Sequence, residues 1–160
     1  MNVLDFFYRY WGIFRSLLWL SLHPQLWYKG IGINGIPKID NISKLEIGRN
    51  VTLNDNAYIQ CVGGAKIGNC VTISYGCAIL TSGLETTNYP EICMVRGRLH
   101  KNRRVEIGNG VWLGTRSIIL PGVKIADKII VGAGTVVTKN LEKEGWLYAG
   151  NPARPIKPLY

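Results

Sequence analysis

The sequence predicts an all-β fold: a parallel coil of short strands, preceded by one helix and interrupted by one long loop. Three observations carry that expectation. An aliphatic residue returns every sixth position at Ile107, Leu113, Ile119, Ile125, Val131 and Val137. The same register runs through Ile47, Leu53 and Ile59, slips by two residues, and resumes at Ile67, Ile73 and Ile79. Glycine often follows the aliphatic (Gly48, Gly68, Gly108, Gly114, Gly132), and four residues after it stands another small or branched side chain, such as Val51, Ala57, Val71, Cys77, Val111, Ser117, Val123, Ile129 or Thr135.

A period of six fits neither a helix of 3.6 residues per turn nor a long alternating strand. It fits a short strand plus a corner, with glycine supplying backbone freedom at the corner. Three such units close a triangular coil in which each aliphatic points inward and stacks on its counterpart one coil away. One coil cannot bury its own face, so stability comes from stacked neighbours. The spacing gives roughly four to five coils between residues 31 and 142.

Ahead of the coil, residues 3–22 read as a helix, with Leu4, Phe7, Tyr8, Trp11, Phe14 and Leu18 at helical spacing and Pro24 ending it. Residues 1–30 are therefore expected to form a cap on the open first coil. The excess of aromatic residues beside arginines also suits attachment to a membrane surface. The longest uncharged run there, Ser16 to Tyr28, is too short to span a bilayer and contains Pro24, and no secretory cleavage pattern follows. Residues 81–104 interrupt the repeat as a long loop, which on a rigid scaffold is commonly functional. Residues 143–160 read as an extended, irregular tail, because Pro152, Pro155 and Pro158 cannot continue a ladder.

Nineteen basic against ten acidic residues leave a formal charge of +9, which favours an anionic partner. The basic residues are scattered and no nucleic-acid-binding motif accompanies them, so the reading excludes nucleic acid and favours a phosphate-bearing cofactor or an acidic membrane. Cys61, Cys70, Cys77 and Cys93 have no metal-binding spacing, and read as small core hydrophobes in a reducing cytosol.

The segment VEIGNGVWLGTRSIILPGVKIADKIIVGAGTVVTKN (105–140), followed by AGNPARPIK (149–157), resembles the hexapeptide-repeat acyltransferases. The likeness is strongest to the galactoside, maltose and surface-polysaccharide O-acetyltransferases, and covers residues 45–158 with a gap at the loop. It implies a left-handed parallel β-helix, against the usual right-handed crossover. It further implies a homotrimer with acetyl-coenzyme A bound between subunits, no metal, and a carbohydrate acceptor. Carried over by motif, Trp112, Gly114 and Thr115 of VWLGT, Ala133 of VGAG, Thr138 and Lys139 of VVTK, and Arg154 and Lys157 of NPARPIK match coenzyme-site positions. Asn54 matches an acetyl-group or acceptor contact.

Acyl transfer from a thioester to a hydroxyl calls for a base, and histidine is suited to that role near neutrality. The galactoside and maltose enzymes resembled carry theirs in a T-G-H type motif after the interruption, where this sequence has Leu84. Of the two histidines, His23 adjoins Pro24 at the end of the helix and reads as structural or solvent-facing. His100, in the basic run RGRLHKNRR, stands just before the next repeat, as in some polysaccharide acetyltransferases. His100 is the expected base, with Glu85 expected to orient its imidazole and a backbone N–H near Gly114 to meet the oxyanion. A surface histidine in a basic loop is the plainer alternative. An acyltransferase for an amino sugar, serine or xenobiotic, and a non-catalytic trimeric scaffold, are the other readings. A γ-type carbonic anhydrase is excluded by its need for three histidine ligands.

Overall fold

The computed structural model describes residues 3–87, 89–93 and 99–160. Its body is a triangular prism of stacked coils. Coil one holds β1 (Gly32–Asn34), β2 (Lys38–Asp40) and β3 (Leu45–Ile47), and coil two β4 (Thr52–Asn54), β5 (Tyr58–Gln60) and β6 (Ala65–Ile67). Coil three holds β7 (Thr72–Ile73) and β8 (Ala78–Ile79), leaves the prism as β9 (Ser82–Leu84), α2 (Tyr89–Ile92) and β10 (His100–Asn102), and returns as β11 (Val105–Ile107). Coil four is β12 (Trp112–Leu113), β13 (Ile118–Ile119) and β14 (Lys124–Ile125). Coil five is β15 (Ile130–Val131) and β16 (Val136–Val137), closed by a parallel bridge from Leu141 to Ile125. The chain ends in β17 (Trp146–Ala149) and β18 (Arg154–Pro158).

Strands one coil apart pair in parallel and make three flat faces. The first is β1-β4-β7-β12-β15-β17-β18, the second β2-β5-β8-β13-β16, and the third β3-β6-β11-β14. The sixfold register fixes this arrangement: Leu53, Ile73, Leu113 and Val131 pair one above another on the first face. None of the aliphatics in that register, from Ile47 to Val137, is more than 6% exposed. Burying each such side chain contributes roughly 1.5–3 kcal/mol, so the stacked column is the main source of cohesion. The second set, Val51 through Thr135, is buried as well, and its polar members are bonded. Ser117 Oγ lies 3.2 Å from Cys77 Sγ, and Thr135 Oγ1 accepts from the Gly150 N–H at 3.2 Å.

A single α-helix, α1 (Val3–Ser21), covers the open end of coil one and packs on β1. Ser16 is buried there and its Oγ accepts from the Gly35 N–H at 3.0 Å, while Trp19 and Leu20 reach the core. A 3-10 turn, Pro24–Lys29, follows and buries Leu26. His23 is structural: Nδ1 is 2.7 Å from the Trp19 carbonyl, and the ring stacks on Trp19 at 4.0 Å. Among the described residues no helix is long and apolar enough to cross a membrane.

Three expectations need correction. Cys61 and Cys77 are core residues whose thiols burial pushes up to about 11, but Cys70 is exposed and Cys93 half-buried. Cys70 occupies a corner with φ 55°, outside the inward register. The tail is not irregular: β17 continues the first face in parallel, and β18 folds back on it antiparallel. Prolines are tolerated in β18 because it is the edge strand, where an N–H facing solvent is not missed. The interrupting loop likewise has its own pattern, a hairpin of β9 and β10.

Candidate active site

The hairpin leaves the prism at the corner between the second and third faces. Gln60 fixes its root: Oε1 accepts from the N–H groups of Thr81 (3.1 Å) and Ser82 (2.9 Å). Thr81 Oγ1 donates to the Gln60 carbonyl (2.8 Å) and accepts from Gly63 N–H (2.9 Å), closing the same joint. In the hairpin register Leu84 stands directly opposite His100. The bonds Glu85 N–H to Leu99 O and Arg103 N–H to Thr81 O define the hydrogen-bonded pairs. Leu84 and His100 are thus a non-hydrogen-bonded pair, the kind whose Cα atoms approach to roughly 4.5 Å with side chains on one face. The imidazole therefore sits one strand across from the position the T-G-H pattern would fill.

Glu85 does not orient His100. Its Oε1 accepts from the Thr87 N–H (3.0 Å) and hydroxyl (2.7 Å), and its Oε2 pairs with Lys101 at 3.2 Å. The Thr87 bonds first, and Lys101 after them, hold its carboxyl down at about 2. The cause is the pleat: successive side chains alternate between faces, so Glu85 and Lys101 share the face opposite Leu84 and His100. No hydrogen bond reaches the His100 imidazole among the described residues. On the Glu85 side a cleft of about 300 Å³ opens between the hairpin and the prism, lined by Lys101, Arg103, Leu120, Pro121 and Thr138 among others. The basic run alone does not distinguish Lys101 and Arg103 from its other cations, because the strand register that brings them to this cleft is not encoded in it.

A second group of candidates lies along the corner between the first and second faces. There Ser74, Gly114, Gly132 and Ala149 follow one another up the prism, a row of small residues set by the ladder. Gly114 is obligatory, since a Cβ would sit 2.6 Å from the Val131 carbonyl oxygen. Its own N–H donates to that carbonyl at 2.8 Å, so among the amides near Gly114 this one is not open to serve as the oxyanion donor. That of the next residue is open. The N–H groups of Thr115 and, one coil on, Ala133 donate to no acceptor among the described residues, and both residues are exposed. Trp112 projects from the first face half-exposed, with Nε1–H donating to Ser74 Oγ at 2.9 Å. Asn54 Nδ2 donates to the Ile73 carbonyl at 3.0 Å, below the same row. At its upper end Arg154 pairs in register with Ala149, and Lys157 with Leu147, both basic side chains exposed.

The corner between the third and first faces is built differently. Asn69 Oδ1 accepts from Arg49 N–H, Asn109 Oδ1 from Asn69 N–H, and Asp127 Oδ1 from Asn109 N–H, each at 2.8–2.9 Å. These bonds also hold the Asp127 carboxyl below its usual range. Free amides at one corner and capped amides at the other mark where an extended polar ligand could bond to the backbone.

Within one chain the expected site residues fall into two groups. Asn54, Trp112, Gly114, Thr115, Ala133, Arg154 and Lys157 belong to the first face and its corner. Glu85 and His100 of the hairpin, with Thr138 and Lys139 just beyond β16, lie at the far edge of the second face. The whole second face separates them.

The family description "Bacterial transferase hexapeptide (six repeats)" matches residues 104–139. The chain is 34% identical to the galactoside O-acetyltransferase of Escherichia coli K12 over 122 residues, which is 73% of this chain and 55% of that enzyme. It therefore spans only about half the length of that relative. A maltose O-acetyltransferase from Clostridium difficile 630 superposes with a TM-score of 0.69 at 27% identity, over 82% of this chain and 68% of that one. A galactoside acetyltransferase solved in complex with coenzyme A gives a TM-score of 0.69 at 29% identity, over 81% and 64%.

Proposed function

We propose that the chain is a hexapeptide-repeat transferase that moves an acetyl group from acetyl-coenzyme A to a carbohydrate hydroxyl. The coil is then the left-handed parallel β-helix of that family. The acceptor in this reading is a bacterial surface polysaccharide or its precursor, met in the cytosol. One observation carries the reading: the free N–H groups of Thr115 and Ala133 beside the row of small residues, ending near Arg154 and Lys157.

The fit to acetyl-coenzyme A is chemical. Gly114, Gly132 and Ala149 leave room for an extended pantetheine arm, whose amides can bond to unpaired backbone groups. Arg154 and Lys157 supply cations for nucleotide phosphates, with Lys139 a further cation at the opposite corner. The thioester supplies the activated acetyl group. His100 takes the proton of the acceptor hydroxyl as its oxygen bonds the acetyl carbon, and Thr115 N–H hydrogen-bonds the carbonyl oxygen as charge develops there. The C–S bond then breaks and the coenzyme A thiolate leaves with that proton. Asn54 and Trp112 shape the acceptor side. Because the two groups of residues lie at opposite edges of the second face, the complete site needs two subunits. A cyclic homotrimer meets that need, setting one chain's hairpin against its neighbour's open corner.

The test is acetyl-coenzyme A consumption, scanned over sugar acceptors. His100→Ala should lower kcat by ~10²–10⁴-fold, the usual contribution of a general base. Leu84→His added to His100→Ala should recover at least about tenfold, because the two positions share one face. A folded His100→Ala protein that keeps most of its activity would place the base elsewhere.

A further inference from the structure

Half of the large hydrophobic side chains exposed among the described residues lie between Tyr10 and Tyr28. The inward side of α1 is accounted for by Gly12, Ser16, Trp19 and Leu20 against coil one. Its outward side carries Trp11 (61% exposed), Phe14 (55%), Leu17 (62%) and Leu18 (51%), and the next turn adds Trp27 and Tyr28. Arg15 is the one charged residue in residues 10–28 apart from the titratable His23, and it is half-buried, at the edge of that outward side beside Trp11 and Leu18. We propose that this face docks the protein on an anionic lipid bilayer.

Among the described residues no element packs on the outward side, and α1 itself lies on β1 at the end of the first ladder. The next candidate is a neighbouring subunit, and here the inference rests on the trimer proposed above. Cyclic packing of prisms side by side brings neighbours to the lateral faces, whereas the outer side of an end cap points along the coil axis. Such an assembly leaves three α1 helices uncovered at one end, in one plane.

Their chemistry selects the occupant. Trp and Tyr combine an apolar body with a polar tip, which suits the headgroup level of a bilayer. The helix spans 19 residues, roughly 28 Å, and cannot cross a membrane, so its exposed stripe is suited to lying in the interface plane. The formal charge of +9 favours approach to an anionic leaflet over a neutral one. Three weak contacts on one plane act together, so the bound trimer gains far more than one helix would.

Flotation of the full-length protein with vesicles of phosphatidylcholine alone, or with 30% phosphatidylglycerol (about 0.3 mole fraction), reads the proposal directly. Wild type should float with the anionic vesicles, and Trp11→Ser/Phe14→Ser/Leu18→Ser should bind more than about tenfold less. Mass photometry of both proteins should give the same three-chain mass, which tests the assembly separately. Wild type left in the soluble fraction, or equal flotation of the two proteins, overturns the proposal. So does a six-chain particle that the triple substitution splits into three, because a second trimer would then be what covers the helices. A one-chain mass counts against the trimer, while loss of flotation in the variant still supports the helix as the anchor.

Discussion

Along the third face, Glu46, Lys66, Glu106 and Lys124 stand in register on β3, β6, β11 and β14, each opposite a charge of contrary sign. Lys124 pairs with Glu106 at 3.2 Å, and Arg104 reaches Glu46 at 2.6 Å. The corresponding outward row of the second face reads Lys38, Tyr58, Ala78, Ile118 and Val136, with its one charge at the end strand β2 and none from β5 onward. The corners follow the same division: amides capped by Asn69, Asn109 and Asp127 on one side, unpaired amides at Thr115 and Ala133 on the other. One repeat builds both sides, because it dictates only the inward positions. A face whose charges and amides are already matched suits water, whereas one left aliphatic beside free donors suits a subunit and a ligand.

That contrast can be broken by experiment. The largest effect should come from Ile118→Lys, which puts a charge in the uncharged part of the second face, from β5 to β16. An unpaired charge at the proposed subunit contact costs several kcal/mol, so association should weaken on the order of 100-fold or more. Analytical ultracentrifugation would show the mass falling, and an unchanged mass would remove the second face from the interface. Next in size is Asn109→Ala at the capped corner. It deprives Asn69 N–H of its acceptor and Asp127 of its side-chain donor, the backbone N–H at 109 remaining, and should cost about 1–2 kcal/mol in chemical denaturation. Thr115→Ala, at the open corner, should stay within about 0.5 kcal/mol.

Acid should loosen the hairpin at one identifiable point. The Glu85 carboxyl is held down at about 2, below its unfolded value of about 4.5, so its bonds stabilise the arm fully above that value. They are lost as pH falls towards 2, and the protection of the Thr87 N–H relative to intrinsic exchange should fall across that window. Glu85→Gln should abolish the pH dependence of that protection. A small effect is also expected from Glu106→Gln on the charged face. Exposed ion pairs contribute little, so stability should change by less than about 1 kcal/mol, and by less still in high salt.

The inward half of this molecule was legible in the sequence because burial imposes a period. Every aliphatic from Ile47 to Val137 stands where that period puts it, and the slip between Ile59 and Ile67 is absorbed at a corner. Outward positions carry no such constraint. Leu84 and His100 become neighbours only through a hairpin register that the basic run does not encode, and the same register turns Glu85 away from His100. Capping side chains left a fainter mark: Asn69, Asn109 and Asp127 each stand two residues after an inward isoleucine. The prolines misled about the tail because their effect depends on whether a strand is central or at the edge.

Additions to the coil are stacked on one corner. Between the second and third faces the chain takes a short detour after Ile39 and after Ile59, and the whole hairpin after Ile79, yet Val105 still pairs with Ala65 as Leu45 does. Nothing in the prism has to move to admit a longer or shorter arm there. Over evolutionary time the arm can be replaced while the scaffold is inherited unchanged. A new acceptor would then require exchanging a cassette at one edge, and the same junction is where a designer could graft one.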